Sequence, residues 1–315
     1  MKLVVQIPCL NEEETLPLVL KSIPKKIDGI DDIEILIIDD GSTDKTVEVA
    51  RKLGVKHFVH HVRNQGLGRS FHDGALKSLE LGADIIVNTD GDNQYPGDRI
   101  GDLVQPIIKG IADIVIADRQ THQIEHFSWT KKLLQKVGSA VVNEAAGTNV
   151  PDAVSGFRAY SRESIFRLNT ITRYSYTTET IIQAGYKGLH IDSIIVDTNG
   201  KLRESRLFKS TFEHVWKSAL TIIRAYIMYK PYIIFGYLGF ILFLAGLVPF
   251  ARFTIYSIQE GTTRGHIQSL LIGSVLMIGA FLCLVLNIIA DLIRTNRVLT
   301  EDNLEQTKRH RFNNS

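Results

Sequence analysis

Short apolar runs of strand length recur through the first two thirds of the chain, and helix-like stretches separate the early ones. The predicted strands are Leu3–Ile7, Ile33–Ile38, His57–Val59, Asp84–Val87, Asp113–Ile116 and Ile191–Val196. The predicted helices are Glu13–Ser22, Thr43–Leu53, Gly68–Leu81 and Arg99–Lys109. This alternation predicts an α/β domain with a Rossmann-like, mostly parallel sheet.

The last third of the chain contains two long runs without a charged residue, 231–251 and 267–290. As helices they reach about 31 Å and about 36 Å, enough to cross a hydrocarbon core of about 30 Å. A buried helix of a soluble protein is the alternative, but the remaining residues cannot supply the large core that it needs. The two runs therefore predict two membrane spans.

The regions flanking the spans are rich in Lys and Arg, whereas the connection, 252–266, carries only two Arg. By the positive-inside rule, both termini and the α/β domain are expected on the cytoplasmic side. Before the first span, apolar residues recur at three- and four-residue spacing from Phe208 to Ile227, which predicts an amphipathic helix at the membrane interface. The predicted organisation is an α/β domain over 1–206, an interface helix over 207–230, a membrane hairpin over 231–291 and a cytoplasmic tail over 292–315.

Composition and charge narrow the classes of protein further. The formal net charge of +2 is too small to favour a nucleic-acid partner, and basic and aromatic residues do not interleave as in a single-strand-binding groove. The two cysteines, Cys9 and Cys283, predict no disulfide framework. The first residues read as a strand without a signal for export. A reducing, cytoplasmic setting is expected for the α/β domain.

Three polar clusters follow predicted strands: Pro8–Glu13, Asp39–Asp44 and Asp90–Gln94. Taken singly, each reads as a turn, a helix cap or a solvated loop. Ligands of such sheets gather beyond the carboxyl ends of the strands, where all three clusters are expected. Several carboxylates at one edge are costly unless a cation binds among them. The clusters together therefore predict a ligand site that includes a metal ion.

The spacing within the clusters indicates different tasks for their carboxylates. In an extended turn Asp90 and Asp92 point the same way, and Gln94 offers a further oxygen, a hard donor set that suits a divalent cation and leaves room for phosphate oxygens. Asp39 and Asp40 suit hydrogen bonds from a base N–H or a ribose hydroxyl. The sequence contains no phosphate-binding Gly-x-x-x-x-Gly-Lys-Ser/Thr loop, no complete dinucleotide fingerprint, no Gly-x-Ser-x-Gly elbow and no zinc-ligand set.

Five segments, in order, resemble the motifs of the family 2 glycosyltransferases, which have the GT-A fold. They are Ile7-Pro8…Asn11-Glu12-Glu13, Asp39–Asp44, Asn64…Gly66-Leu67-Gly68, Asp90–Gln94 and Asp152–Arg158. The last resembles the Ser-Gly-Phe-Arg segment of the dolichol-phosphate mannosyltransferase and polyprenyl-phosphate glucosyltransferase branch. The resemblance covers about residues 1–210, and the interface helix and two spans extend it to the end of the chain.

The resemblance implies an inverting transfer of a hexose or N-acetylhexosamine from a UDP- or GDP-sugar to a dolichyl or undecaprenyl phosphate, with Mg²⁺ or Mn²⁺. The implied donor-binding residues are Pro8, Leu10, Asn11, Glu12, Asp39, Asp40, Gly68, Asp90 and Gly91. The implied metal-binding residues are Asp90, Asp92 and Gln94, and the implied catalytic residues are Asp92, Arg119 and Arg158. The implied acceptor-phosphate residues are Arg119, Ser155, Arg158, Arg203, Ser205 and Arg206.

The sequence departs from the family pattern at two places, and two other functions stay open. The metal motif reads Asp-Gly-Asp instead of the commoner Asp-Ala-Asp, and the family's Arg…Gly-x-Ser-Lys segment appears as Lys201–Arg206. A processive polysaccharide synthase is one alternative, although neither Trp129 nor Trp216 follows an Arg as that branch requires. A non-catalytic nucleotide-sugar-binding scaffold is the other. The sequence does not decide whether the chain forms a homo-oligomer.

Overall fold

The computed structural model describes residues 1–120, 129–170, 172, 176–199, 231–260 and 267–313. These residues fall into two compact units. The first holds the described residues between Met1 and Ser218 together with those from Glu301 onward, and the second holds those between Ala219 and Thr300. The first unit contains the described residues of the predicted α/β domain, and the second contains both predicted spans.

The first unit has one central sheet of seven strands among the described residues. The strands are β1 Lys2–Cys9, β2 Asp32–Asp39, β3 His57–His60, β4 Ile85–Asn88, β5 Ile114–Asp118, β6 Arg158–Ser161 and β7 Ile191–Ile195. The helices are α1 Leu16–Ser22, α2 Thr46–Lys52, α3 Leu67–Glu80, α4 Ile100–Ile108, α5 Trp129–Ala146, α6 Arg162–Arg167 and α7 Thr177–Tyr186. A short 3₁₀ turn, Gly97–Arg99, precedes α4.

The strand order is β3-β2-β1-β4-β6-β5-β7, and every neighbouring pair is parallel except the two that involve β6. The predicted mostly parallel α/β sheet is confirmed. Strand β6 was not predicted, because a four-residue strand that begins with Arg and ends with Ser lacks an apolar run. It matters for the site, since β6 lies beside β4 and pairs Arg158 with Asn88.

Both faces of the sheet are covered, which explains why its central strands are almost continuously apolar. One face of β1 joins a core of Leu3, Val5 and Ile7 that includes α1 and α4. On the other face α3 crosses so closely that a Cβ on Gly74 would lie 2.7 Å from Gln6 Oε1. The register of β1 with β2 and β4 brings the carboxyl ends of these three strands to one edge. This edge is where the polar clusters lie.

The second unit is built from the whole of α8, Pro231–Glu260, and from α9, Ile267–Asn313, as far as Thr300. Both helices are long and apolar enough to cross a membrane by length and composition, and most of their apolar side chains are exposed in the chain itself. The two helices pack closely at small residues, because a Cβ on Gly273 would lie only 2.9 Å from the ring of Phe250. Helix α8 continues past residue 251, the predicted end of the first span. The connection predicted between the spans is therefore helical as far as Glu260.

The end of α9 belongs to the first unit, where it contacts α6. Lys308 Nζ donates to the carbonyl oxygens of Leu168 at 2.6 Å and Ile165 at 3.3 Å, and Arg309 forms an ion pair with Glu163. Burial lowers the pKa of Lys308 to about 8. Residues 292–313, predicted as a tail after the second span, thus continue the same helix and end against the α/β unit.

Candidate active site

The loop after β1 binds the loop after β2 through backbone and side-chain hydrogen bonds. Asn11 has a left-handed backbone, with φ of 58°, and its side-chain oxygen accepts from the Thr43 amide at 2.7 Å. The Asn11 amide donates to Ser42 Oγ at 3.0 Å, and the Glu12 amide donates to Thr46 Oγ1 at 2.8 Å. The first two polar clusters therefore form one wall of the site.

The two carboxylates at the end of β2 are both buried. Asp39 Oδ1 accepts from the Ser42 amide at 3.0 Å. Asp40 accepts the amides of Gln65 and Gly66 at 2.8 and 2.9 Å and contacts His61 Nδ1 at 2.7 Å. These bonds use three of the about four acceptor positions of the Asp40 carboxylate. Asp40 thus holds the segment before α3 and keeps about one acceptor position for its predicted contact with a nucleoside.

His61 is a site residue that the sequence analysis missed. Its ring lies between two carboxylates, with Nε2 3.2 Å from Asp73 Oδ2 on α3, and its side chain is 5 % exposed. The ring thereby connects Asp40 to α3. The histidines of the sequence are scattered, and only the fold brings Asp73 to His61.

The turn after Asp40 requires a glycine at position 41. Gly41 has φ of 82°, and an added Cβ would lie 2.9 Å from the carbonyl carbon of Arg63. A non-glycine residue here meets both a left-handed conformation and a backbone clash. The turn after Asp40 and the segment 61–66 can therefore pack directly against each other.

The third cluster follows β4 and meets the loop after β1 at Gly91. An added Cβ on Gly91 would lie 3.1 Å from Glu12 Cγ and 3.2 Å from Cys9 Sγ, and the Gly91 carbonyl accepts from Thr15 Oγ1 at 2.8 Å. This crowding explains why the motif reads Asp-Gly-Asp here. The first wall and the metal motif thus lie side by side, as predicted for clusters at neighbouring strand ends.

Asp90 and Asp92 lie close enough to oppose each other's ionisation. Burial and then the charge of Asp92 raise the pKa of Asp90 to about 7, against the opposing charge of Arg119. Asn93 has φ of 59°, and Asp92 Oδ1 accepts from the Gln94 amide at 3.1 Å, which closes the loop. The two carboxylates therefore share one small region.

The donor set of this loop fits a hard divalent cation. Among the described residues, no three His, Cys, Asp or Glu side chains gather closely enough to hold an ion by themselves. Mg²⁺ is commonly held by one or two carboxylates, with substrate phosphates and water in the other positions. Asp90 and Asp92 meet this requirement, and the predicted third ligand, Gln94, lies in the same loop.

Arg119 follows β5 and lies near Asp90, but its guanidinium is already paired. Nε and Nη2 donate to the two oxygens of Asp152 at 2.7 and 3.0 Å. The Arg119 side chain is 13 % exposed and the Asp152 side chain 5 %. Burial lowers the pKa of Arg119, but nearby Tyr95 and Asp152 more than offset this, and the pKa is raised. The predicted phosphate contact would have to use the third nitrogen, Nη1. The motif that begins at Asp152 gave no sign of this pairing.

Arg158 and Ser155, two further residues predicted to bind the acceptor phosphate, lie inside the protein. Both are 0 % exposed. The Arg158 guanidinium donates to the carbonyl oxygens of Ser155, Thr177 and Ala153 at 2.7, 2.8 and 2.8 Å, and to a Thr180 hydroxyl at 2.9 Å. Arg158 thus ties together backbone segments, because β6 lies inside the sheet. The described hydrogen bonds of Arg158 are all to the protein itself, and its predicted roles in catalysis and phosphate binding, like that of Ser155 in phosphate binding, stay predictions.

A residue beyond β7 also holds the metal motif. Asn199 donates through its backbone amide to the Gln94 carbonyl at 2.9 Å and through Nδ2 to the Asn93 carbonyl at 3.0 Å. The remaining predicted acceptor residues, Arg203, Ser205 and Arg206, and the predicted interface helix over 207–230 lie outside the described residues.

The fold and this edge define an α/β transferase-like domain with an acidic, cation-suited site beyond its parallel strands. The family model for glycosyl transferase family 2 matches residues 4–167, just over half of the chain. The chain belongs to glycosyl transferase family 2, and its prediction as a glycosyltransferase is confirmed.

Named relatives and a solved structure agree with this assignment. The chain is 28 % identical over 213 residues to a UDP-N-acetylglucosamine–dolichyl-phosphate N-acetylglucosaminyltransferase of Methanococcus voltae, covering 61 % of this chain and 83 % of that one. It is 28 % identical to an undecaprenyl-phosphate mannosyltransferase of Micrococcus luteus, covering 52 % and 68 %. Glucosyl-3-phosphoglycerate synthase of Mycobacterium tuberculosis, solved with Mn²⁺ and UDP-glucose, matches with a TM-score of 0.54 at 23 % identity, covering 71 % and 78 %. That likeness supports the GT-A fold.

Proposed function

We propose that this glycosyltransferase moves a hexose or N-acetylhexosamine from a UDP- or GDP-sugar to a polyprenyl phosphate. The observation that carries the proposal is the pair Asp90 and Asp92, placed beside the wall formed by the loops after β1 and β2. The named relatives support the acceptor, since both act on polyprenyl-type lipid phosphates. The solved structure with Mn²⁺ and UDP-glucose supports the donor and the cation.

The two apolar helices support a membrane-bound acceptor. A lipid phosphate lies at the bilayer surface, so the enzyme that uses it must work there. The Lys- and Arg-rich flanks of the spans favour a catalytic domain and both termini on the cytoplasmic face. In this organisation the catalytic domain precedes the membrane hairpin in the chain, and both predicted spans follow residue 230.

The reaction needs little covalent chemistry from the protein. The second pKa of a phosphate monoester is about 6, so the lipid phosphate is largely a dianion at neutral pH. Its oxygen forms a bond to the anomeric carbon while the bond from that carbon to the donor's diphosphate oxygen breaks, and the nucleoside diphosphate leaves with the electron pair. In-line attack inverts the anomeric centre. No general base is required.

The protein's residues hold and orient the reacting groups. Asp90 and Asp92, with Gln94, would hold a Mg²⁺ or Mn²⁺ ion, which when bound offsets negative charge on the departing diphosphate. Asn11, Glu12 and Asp39 form the side of the site on which the nucleoside is expected. Asp40 fixes the segment before α3 through the Gln65 and Gly66 amides.

Transfer of labelled sugar tests this proposal. The full-length chain in detergent or lipid is incubated with UDP-glucose, UDP-N-acetylglucosamine or GDP-mannose, with dolichyl or undecaprenyl phosphate, and with Mn²⁺, Mg²⁺ or a chelator. We expect metal-dependent labelling of the organic phase with the matching donor and none with the free polyprenol. Absence of transfer with every pair favours the binding scaffold, and a labelled polymer that grows in length favours the polysaccharide synthase.

Loss of the His61 ring is expected to weaken donor binding. His61→Phe removes the contact that holds Asp40 and, through it, the segment 65–66. Because hydrogen bonds to charged groups contribute about 1.5–3 kcal/mol, the KM for the nucleotide sugar should rise roughly ten-fold or more, with a smaller change in kcat. Titration with the nucleoside diphosphate measures the same effect without turnover.

His57→Phe is the matched control for this substitution. His57 begins β3, at the opposite end of the strand from the site, and its Nε2 lies 3.4 Å from Glu34 Oε2. We expect a nearly unchanged KM in this variant. Equal effects of the two substitutions would show that His61 does not act through Asp40.

A further inference from the structure

The backbone at Gly156 lies directly against the carboxylate of Asp90. An added Cβ on Gly156 would lie 3.3 Å from Asp90 Oδ2, 3.5 Å from Oδ1 and 3.3 Å from Tyr176 Oη. A Cβ at this position would press on both the carboxylate and the tyrosine hydroxyl. The position of Gly156 therefore limits where the Asp90 carboxylate can lie.

Three buried side chains hold that peptide. The Gly156 amide donates to Tyr95 Oη at 3.0 Å, and the Gly156 carbonyl accepts from Tyr176 Oη at 2.8 Å. Asn88 Nδ2 donates to the same carbonyl at 3.1 Å and to Tyr176 Oη at 2.7 Å. All three side chains are less than a twentieth exposed. Since a buried amide or carbonyl without a partner costs free energy, these bonds fix the Gly156 peptide on both sides.

The tyrosine rings are themselves fixed by aromatic packing on different elements. The Tyr176 ring, just before α7, stacks on Phe71 of α3 with centroids 4.1 Å apart and planes 4° apart. The Tyr95 ring stacks on Phe157 with centroids 5.2 Å apart. Each hydroxyl therefore has a defined position relative to the sheet, and the two approach Gly156 from its amide and its carbonyl.

We propose that Tyr95, Tyr176 and Asn88 are positioning residues that hold the Asp90 carboxylate in place for a divalent cation through the Gly156 peptide. The inference rests on the proposed function of Asp90 as a metal ligand. It assigns a role to three buried polar residues that lie outside the acidic cluster Asp90–Gln94. Groups that orient metal ligands typically change metal affinity by about 10–100-fold when they are removed.

The test compares the Mn²⁺ affinity of the unsubstituted full-length chain with that of its variants, in the presence of UDP or GDP. The electron paramagnetic resonance signal of free Mn²⁺ measures how much Mn²⁺ is bound. Tyr176→Phe keeps the stacked ring and removes only the hydroxyl, and we expect at least about ten-fold weaker Mn²⁺ binding. Gly156→Ala, whose Cβ presses on the carboxylate, should weaken binding in the same direction. In transfer assays, the Mn²⁺ concentration for half-maximal rate should rise more than the rate at saturating Mn²⁺ falls.

Tyr160→Phe is the control, because Tyr160 is also fully buried, its ring packs on Phe71, and Gly156 is not among its described hydrogen-bond partners. We expect Mn²⁺ binding like that of the unsubstituted chain. Unchanged Mn²⁺ affinity in Tyr176→Phe, or an equal loss in Tyr160→Phe, would overturn the positioning role. If the unsubstituted chain binds no Mn²⁺ with either nucleotide, the metal site of the proposed function fails instead.

Discussion

Replacement of either acidic residue of the Asp-Gly-Asp motif is expected to abolish metal-dependent sugar transfer. Asp90→Asn and Asp92→Asn each keep the size of the side chain and remove one of the two negative charges that the described site offers a cation. Loss of charge stabilisation at the departing diphosphate should lower kcat/KM by at least about 100-fold. The measurement is the initial rate of lipid-linked sugar formation over a range of Mn²⁺ concentrations.

Asp98→Asn provides the matched control for these two substitutions. Asp98 belongs to the same connection between β4 and α4 but is exposed to solvent. Its replacement should leave the rate and the Mn²⁺ dependence within about two-fold, because surface charges of this kind contribute little. Full activity in Asp90→Asn or Asp92→Asn would contradict the metal site, whichever sugar the enzyme transfers.

Arg158→Met is expected to destabilise the catalytic domain instead of weakening acceptor binding. The substitution removes a buried charge together with its hydrogen bonds to the carbonyl oxygens of Ala153, Ser155 and Thr177. Each buried acceptor that loses its donor costs about 1–3 kcal/mol, and a total of about 3 kcal/mol corresponds to a fall of about 6–12 °C in the melting temperature of a domain of this size. Thermal unfolding of the purified full-length chain, followed by the near-ultraviolet signal of the α/β domain, measures the effect.

The same variant distinguishes a structural role of Arg158 from the phosphate-binding role that the motif predicted. A phosphate-binding arginine would leave the melting temperature unchanged and raise the KM for the polyprenyl phosphate. Arg99→Met serves as the control, because Arg99 is half-exposed and its ion pair with Asp102 lies at the surface. We expect that control to melt within about 2 °C of the unsubstituted chain.

Arg119 and Arg158 have different surroundings, although the sequence predicted the same role for both. Both arginines are close to the end of a strand of the sheet, and both were predicted to face phosphate. Arg119 is paired with Asp152 near Asp90, with one nitrogen outside that pair, whereas Arg158 starts the antiparallel strand β6 and points into the protein. The difference arises from strand direction, which the local sequence around Arg158 does not reveal.

Local signals in the sequence were sufficient for the parallel strands, their helices and the two candidate spans, because apolar periodicity and the length of uncharged runs reflect burial directly. They were also sufficient to place Asp90 and Asp92 at one edge with the first two polar clusters, since parallel strands end on the same side. Only the tertiary structure decided four other features. They are strand β6, the pairing of Arg119 with Asp152, the link from Asp40 through His61 to Asp73, and the hydrogen bonds around Gly156. Each of these joins residues far apart in the chain, and hydrogen-bond geometry between such residues depends on how the sheet, α3 and α7 pack together.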